Sequence, residues 1–121
     1  MGQQTRTDVH NAGVFYTCHM LAKFGFTKIQ THAVSPHITA MKGSEAYSFH
    51  VNANASKDMS WGPSNLNFDF THLVVLTHVA DDPNVYILNR EDIQNSIKSQ
   101  AGRYWIDPDN YRVKGKYWDE I

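Results

Sequence analysis

The chain has 121 residues, of which 41% are apolar, 12% aromatic and 19% charged, with a formal net charge of −1. That length suits one domain, and that apolar share is enough for a packed interior. No apolar run reaches the ~18 residues that cross a bilayer, and the near-zero net charge sets the chain apart from strongly basic, nonspecific nucleic-acid binders.

Residues 1–8 are polar and carry no apolar signal core. Cys18 is the single cysteine and forms no internal disulfide, which fits a reducing compartment. A cytoplasmic protein without a membrane partner is expected. Charge is unevenly spread. Residues 9–57 carry Lys23, Lys28, Lys42 and Lys57 against Glu45, together with five of the seven histidines. Residues 58–92 carry six acids against Arg90. An electropositive N-terminal half facing a polyanion such as DNA is one reading, and plain uneven surface charge is the other.

The first periodic segment runs over 9–24. Val14, Cys18, Leu21 and Ala22 share one helical face with Phe15 beside them. Thr7 or Asp8 is placed to cap its start, and Gly25 to end it. Residues 26–31 alternate as a strand does. Pro36 interrupts the chain before a short strand over 37–41, and 42–45 is turn-like. Residues 47–54 alternate again, with Tyr47, Phe49, Val51 and Ala53 on one face and Ser48, His50, Asn52 and Asn54 on the other. Residues 36–54 therefore predict a hairpin.

Gly62, Pro63 and several serines predict a loop over 56–67. The apolar stretch 68–76 predicts a central strand buried on both faces. A turn at 81–84 and a short strand at 85–88 follow. Asn89 is placed to cap a final helix from Arg90 to about Ser99, closed by Gly102. The tail, with Tyr104, Trp105, Tyr111, Tyr117 and Trp118, is aromatic enough to pack back on the domain. This order predicts an α+β or α/β sandwich around one mostly central sheet.

Lys23-Phe24-Gly25-Phe26, Val51-Asn52-Ala53-Asn54-Ala55-Ser56, Trp61, Phe68-Asp69-Phe70 and Val85-Tyr86-Ile87-Leu88 follow one another in this order. The pattern resembles the small PD-(D/E)xK nuclease-like domains, which have the restriction-endonuclease-like fold. The resemblance covers roughly residues 9–97. It implies a single domain over 1–121, with a core at about 9–99 and a packed tail at 100–121. It also implies an N-terminal helix, a mixed sheet of four to five strands, and a C-terminal helix. In such domains a hairpin carries an Asp, then a Glu or Gln, then a Lys. Here Pro36-His37 stands at the Asp position, Asn52 at the Glu position and Asn54 at the Lys position. A register shifted by one step instead puts His50 and Asn52 at the last two.

These residues are neutral where the resemblance implies charge. Carboxylates hold Mg²⁺ or Mn²⁺, which want oxygen ligands, and the metal generates the attacking hydroxide. A lysine offsets charge that develops on the phosphate. An amide offers an oxygen but no charge. The resemblance therefore implies a degenerate nuclease site around His37, Asn52 and Asn54, with His50 and Ser56 beside them. Little or no hydrolytic activity is expected, in a module that associates with nucleic acid or regulates.

Two alternatives remain open. One is a divergent endonuclease that recruits Asp69 or Glu45 as acids, or binds a divalent metal through His37, His50 and Asp69. His32, His37 and His50 could converge on the hairpin, with His72 or His78 nearby, although polar strand faces or satisfied surface histidines are the plainer explanation. The other alternative is an interaction subunit, for which exposed tail aromatics would supply a homodimer or hetero-oligomer interface. Cys18, on the apolar helix face, reads as a structural thiol.

Overall fold

The computed structural model describes residues 5–55, 60–61, 70–92, 98–100, 103–105, 118 and 121. The elements in chain order are α1 (Arg6–Lys23), β1 (Thr27–Thr31), β2 (Ile38–Lys42), β3 (Glu45–Ala53), β4 (Ser60–Trp61), β5 (His72–Thr77), β6 (Asn84–Asn89), β7 (Lys98–Gln100) and β8 (Arg103–Trp105). The fold is α+β. Its main sheet has five strands in the order β1-β2-β3-β5-β6. β3 and β5 are parallel, and every other neighbouring pair is antiparallel, so the sheet is mixed. β4, β8 and β7 form a second, antiparallel sheet.

α1 starts at a capping box. The Thr5 hydroxyl accepts the Asp8 N–H at 3.1 Å, and the Asp8 carboxylate accepts the Thr5 N–H at 3.1 Å. Two backbone donors that a helix start leaves open are thus satisfied reciprocally. The cap is Thr5 rather than Thr7 or Asp8, because Asp8 acts as the far partner of the box. Replacing Thr5 by alanine is expected to cost about 1 kcal/mol and to lower Tm by about 4 °C, with Thr5→Ser near wild type. An unchanged Tm for the alanine variant in thermal denaturation would show that the box contributes nothing.

The helix ends at Phe24, and Gly25 takes the left-handed conformation with φ +91° that glycine adopts without strain. The buried face of α1 is Val9, Gly13, Val14, Thr17 and Leu21. Ala22 and Phe15, expected on that face, are exposed, Phe15 to 66%. Val9, Gly13, Thr17 and Leu21 recur every four residues and form the stripe, whereas Phe15 lies two positions off Gly13.

Gly13 is the point of closest approach to the sheet. A Cβ placed there would lie 2.5 Å from the Ala53 Cβ and within 3.6 Å of Val51 and Leu76. Beside it the buried Thr17 hydroxyl donates to the Gly13 carbonyl at 2.7 Å, which satisfies the one polar group on the stripe.

The sheet alternates as expected. Phe49 and Val51 of β3 pack under α1 with Ile38, Ala40, Val74, Leu76, Val85 and Ile87, and with Trp118 from the tail. Burying each such large apolar side chain is worth about 1.5–3 kcal/mol. Leu73, Val75, Tyr86 and Leu88 alternate to the other face and are buried too, so β5 is covered on both sides. β1 is an exposed edge strand whose pairing slips between Thr27 and Gln30, where Lys28 has φ +51°. Such a bulge twists an edge and discourages further strands from adding to it.

Three expectations shift at their boundaries. The central strand starts at His72 rather than at residue 68. The loop expected over 56–67 contains β4. Asn89 caps a helical turn at 90–92, its amide oxygen accepting the Asp92 N–H at 2.8 Å. The helix does not continue to Ser99, because Lys98–Gln100 is a strand paired with β8. Residues 93–97 and Gly102 lie outside the described residues.

Candidate functional site

The site forms where β2 leaves β3. The two strands pair from Ile38–Phe49 to Lys42–Glu45, yet β3 continues to Ala53. Past Phe49 the N–H of Val51 faces an edge that β2 no longer covers. His37 covers it instead. Its backbone N–H donates to the Phe49 carbonyl at 2.9 Å, and its Nδ1 accepts the Val51 N–H at 3.0 Å. The His37 carbonyl also accepts the His32 N–H at 2.8 Å. The imidazole thus stands in for the next residue of a strand and is held from both sides.

Two further histidines flank that ring. His10 of α1 meets it edge-on at 4.6 Å between centroids, and His50 of β3 lies at 4.7 Å. His50 Nδ1 is 2.8 Å from the Ser35 hydroxyl, and its ring is 5.2 Å from that of buried Phe70. Burial pushes the His37 pKa down from 6.5 to about 4, and the neighbouring His50 and His10 push in the same direction. His37 is therefore neutral at pH 7. Since Nδ1 accepts a hydrogen bond, the proton of the neutral ring sits on Nε2. His37 offers an N–H to the site and has no free lone pair to offer.

The structure brings His37 and His50 together. His50 and Asn52 lie two residues apart on β3 and so share the face opposite Phe49 and Val51, about 7 Å from each other. Asn52 is half-buried, and its amide nitrogen is buried with no hydrogen-bond partner among the described residues. Asn54 stands apart. Its backbone and side-chain N–H groups donate to the Leu76 carbonyl at 2.8 and 3.2 Å, and its own carbonyl accepts the Val79 N–H at 3.1 Å. It clamps the ends of β3 and β5 together.

Glu45 lies at the opposite end of β3, about 23 Å from Asn52 along the strand, where it accepts the Tyr47 hydroxyl at 2.8 Å. Ser56 and Asp69 lie outside the described residues. His32 turns to the Thr39 hydroxyl at 3.0 Å. His72 sits against Phe49 and Tyr47, with its pKa lowered chiefly by burial and partly restored by Asp92. His78, at φ +52°, lies in the turn after β5. Cys18 is half-buried, and burial raises its pKa, as suits a structural thiol.

Among the described residues no group of three or more His, Cys, Asp or Glu side chains is arranged to hold a metal ion. At His37, coordination through Nε2 would require breaking the bond from the Val51 N–H. Sequence reasoning missed His10 and Ser35. His10 belongs to α1, three residues before Gly13, and only helix packing brings it to the hairpin. No helix among the described residues is long and apolar enough to cross a membrane. The chain matches no family model, no curated protein and no solved structure.

Proposed function

We propose that the chain is a restriction-endonuclease-like domain whose site binds nucleic acid without cutting it, serving as a nucleic-acid-associated or regulatory module. One observation carries this reading: the imidazole at the position the resemblance gives to a metal-binding Asp is committed through Nδ1 to the Val51 N–H. The order of elements supports the fold assignment. A helix precedes a hairpin, a buried strand lies parallel to the second hairpin strand, and a short strand leads into a capped helical turn.

Hydrolysis at such a site needs carboxylates to hold a hard cation and a positive side chain to offset charge on the phosphate. His37 is a neutral donor, and Asn52 carries no charge. Both are hydrogen-bonding groups suited to contacting a phosphate, and neither can assemble a Mg²⁺-bound hydroxide.

The expected result is no cleavage of duplex, single-stranded or branched DNA above an EDTA control with Mg²⁺, Mn²⁺ or Zn²⁺. Binding should be measurable and should weaken steadily as salt rises. Metal-dependent cutting that disappears in an Asp69→Ala, His37→Ala variant would overturn the proposal and assign the chemistry to rearranged ligands. A stable dimer by light scattering with no affinity for DNA would move the function to protein interaction.

A further inference from the structure

A cavity of about 590 Å³ opens between the start of α1 and the end of β1. Arg6, His10, Asn11, Thr31 and His32 line it, and none of its lining residues among the described ones is an acid. His10 belongs both to this cavity and to the ring cluster with His37. The polar groups along this path can all donate hydrogen bonds. Arg6 presents up to five N–H groups and a fixed positive charge. His37 presents Nε2–H, because its Nδ1 is occupied. A lone-pair donor set would suit a cation. This set suits a ligand rich in acceptor oxygens.

We propose that His10 and His37 bind a phosphate-type oxyanion, which enters through the cavity that carries Arg6. The reading deepens the proposed nucleic-acid role and depends on it only for the source of the phosphate. Arg6 supplies the attraction, and a charged bidentate contact dominates the affinity. His10 and His37, whose rings meet at 4.6 Å, supply N–H donors beside it.

The test is an imidazole ¹H–¹⁵N NMR titration of the intact chain with inorganic phosphate, repeated with a short single-stranded oligonucleotide and with Zn²⁺. Phosphate is expected to shift His10 and His37 selectively and to leave His72 and His78 in place. Arg6→Gln, an exposed substitution that leaves the core untouched, is expected to weaken phosphate roughly tenfold. His10→Gln should weaken it as well, without loss of Tm.

Equal small shifts at all histidines, or none at high-millimolar phosphate, would overturn the site. So would Zn²⁺ binding through His37 Nε2, which would make the cluster a metal centre. Phosphate binding without oligonucleotide binding would support the oxyanion site and sink the nucleic-acid reading. Oligonucleotide binding that leaves His10 and His37 unmoved would do the reverse.

Discussion

Replacing Gly13 by valine is expected to destabilise the domain by about 3 kcal/mol or more, and replacing it by alanine by about 1 kcal/mol. Helix propensity alone predicts the opposite sign, since Gly→Ala in a helix interior gains about 1 kcal/mol. Packing decides the matter. Carbon atoms at rest sit about 3.5–4.0 Å apart, whereas a Cβ on Gly13 would meet the Ala53 Cβ at 2.5 Å. The helix would have to rise from β3 by roughly an ångström, and the contacts of Val14, Leu21 and Trp118 in the same core would open with it.

Valine adds two further methyl groups, with Val51 and Leu76 already in contact at 3.5 and 3.6 Å. A loss near 3 kcal/mol would appear as a fall in Tm of roughly 10 °C. The decisive variant is Gly13→Ala combined with Ala53→Gly, which removes the clashing methyl from the other side. Its stability should exceed the sum of the single effects by about 1 kcal/mol. A Gly13→Ala single variant more stable than wild type, with no coupling to position 53, would show that the helix does not approach the sheet this closely.

Local patterns were legible in the sequence where one residue's neighbours decide its place. The β3 alternation that buries Phe49 and Val51 and turns His50 and Asn52 away needs only the pleat. The apolar run Leu73–Leu76 of β5 declares burial on both faces, and the buried Leu73–Thr77 stretch agrees. Gly25 after the helix and Asn89 before the helical turn act through local backbone geometry, and both stand where their chemistry requires.

What the sequence hides is tertiary. Thr17 reads as polar, yet it is fully buried because its hydroxyl turns back to the Gly13 carbonyl. Gly13 reads as a weak helix residue, and only the sheet beneath it gives it a purpose. Phe15 reads as core by hydropathy, and the stripe geometry puts it outside. Lys98–Gln100 follows a helix start and ends as a strand because a partner, β8, arrives from later in the chain.

The candidate site follows the same rule. His37, His50 and Asn52 are close in sequence and were visible as a hairpin constellation. Asn54 was indistinguishable from Asn52 by spacing, and only its bonds to Leu76 separate them. His10, twenty-seven positions before His37 in the sequence, joined through helix packing.

Stability should fall as pH is lowered from about 7.5 to about 5, and a His37→Gln variant should lose much of that slope. The sign follows from the two pKa values of one group. In the folded chain the His37 pKa lies at about 4, below its ordinary 6.5. Between those values the unfolded chain holds a proton on this ring and the folded chain does not, so acid favours unfolding. The contribution is fully present above pH 6.5 and is lost as pH falls through 4. Over the chosen window it amounts to about 2 kcal/mol before solvent screening. Half-exposure of the ring reduces this to about 1 kcal/mol, or roughly 4 °C in Tm.

The window stays above the ordinary carboxylate range, so aspartates and glutamates contribute little. His72 is also depressed by burial and acts in the same direction, which leaves a residual slope in the variant. The groups facing His37 are His10 from α1 and His50 from β3, and both oppose its protonation. Glutamine suits the test because its side-chain oxygen can still accept the Val51 N–H, whereas leucine would leave that donor unpaired at a cost of about 1–3 kcal/mol. Urea unfolding of both proteins at each pH supplies the numbers. An unchanged slope in His37→Gln would mean that His37 titrates normally in the folded chain, and the neutral Nε2–H donor assigned to it at pH 7 would fall with that result.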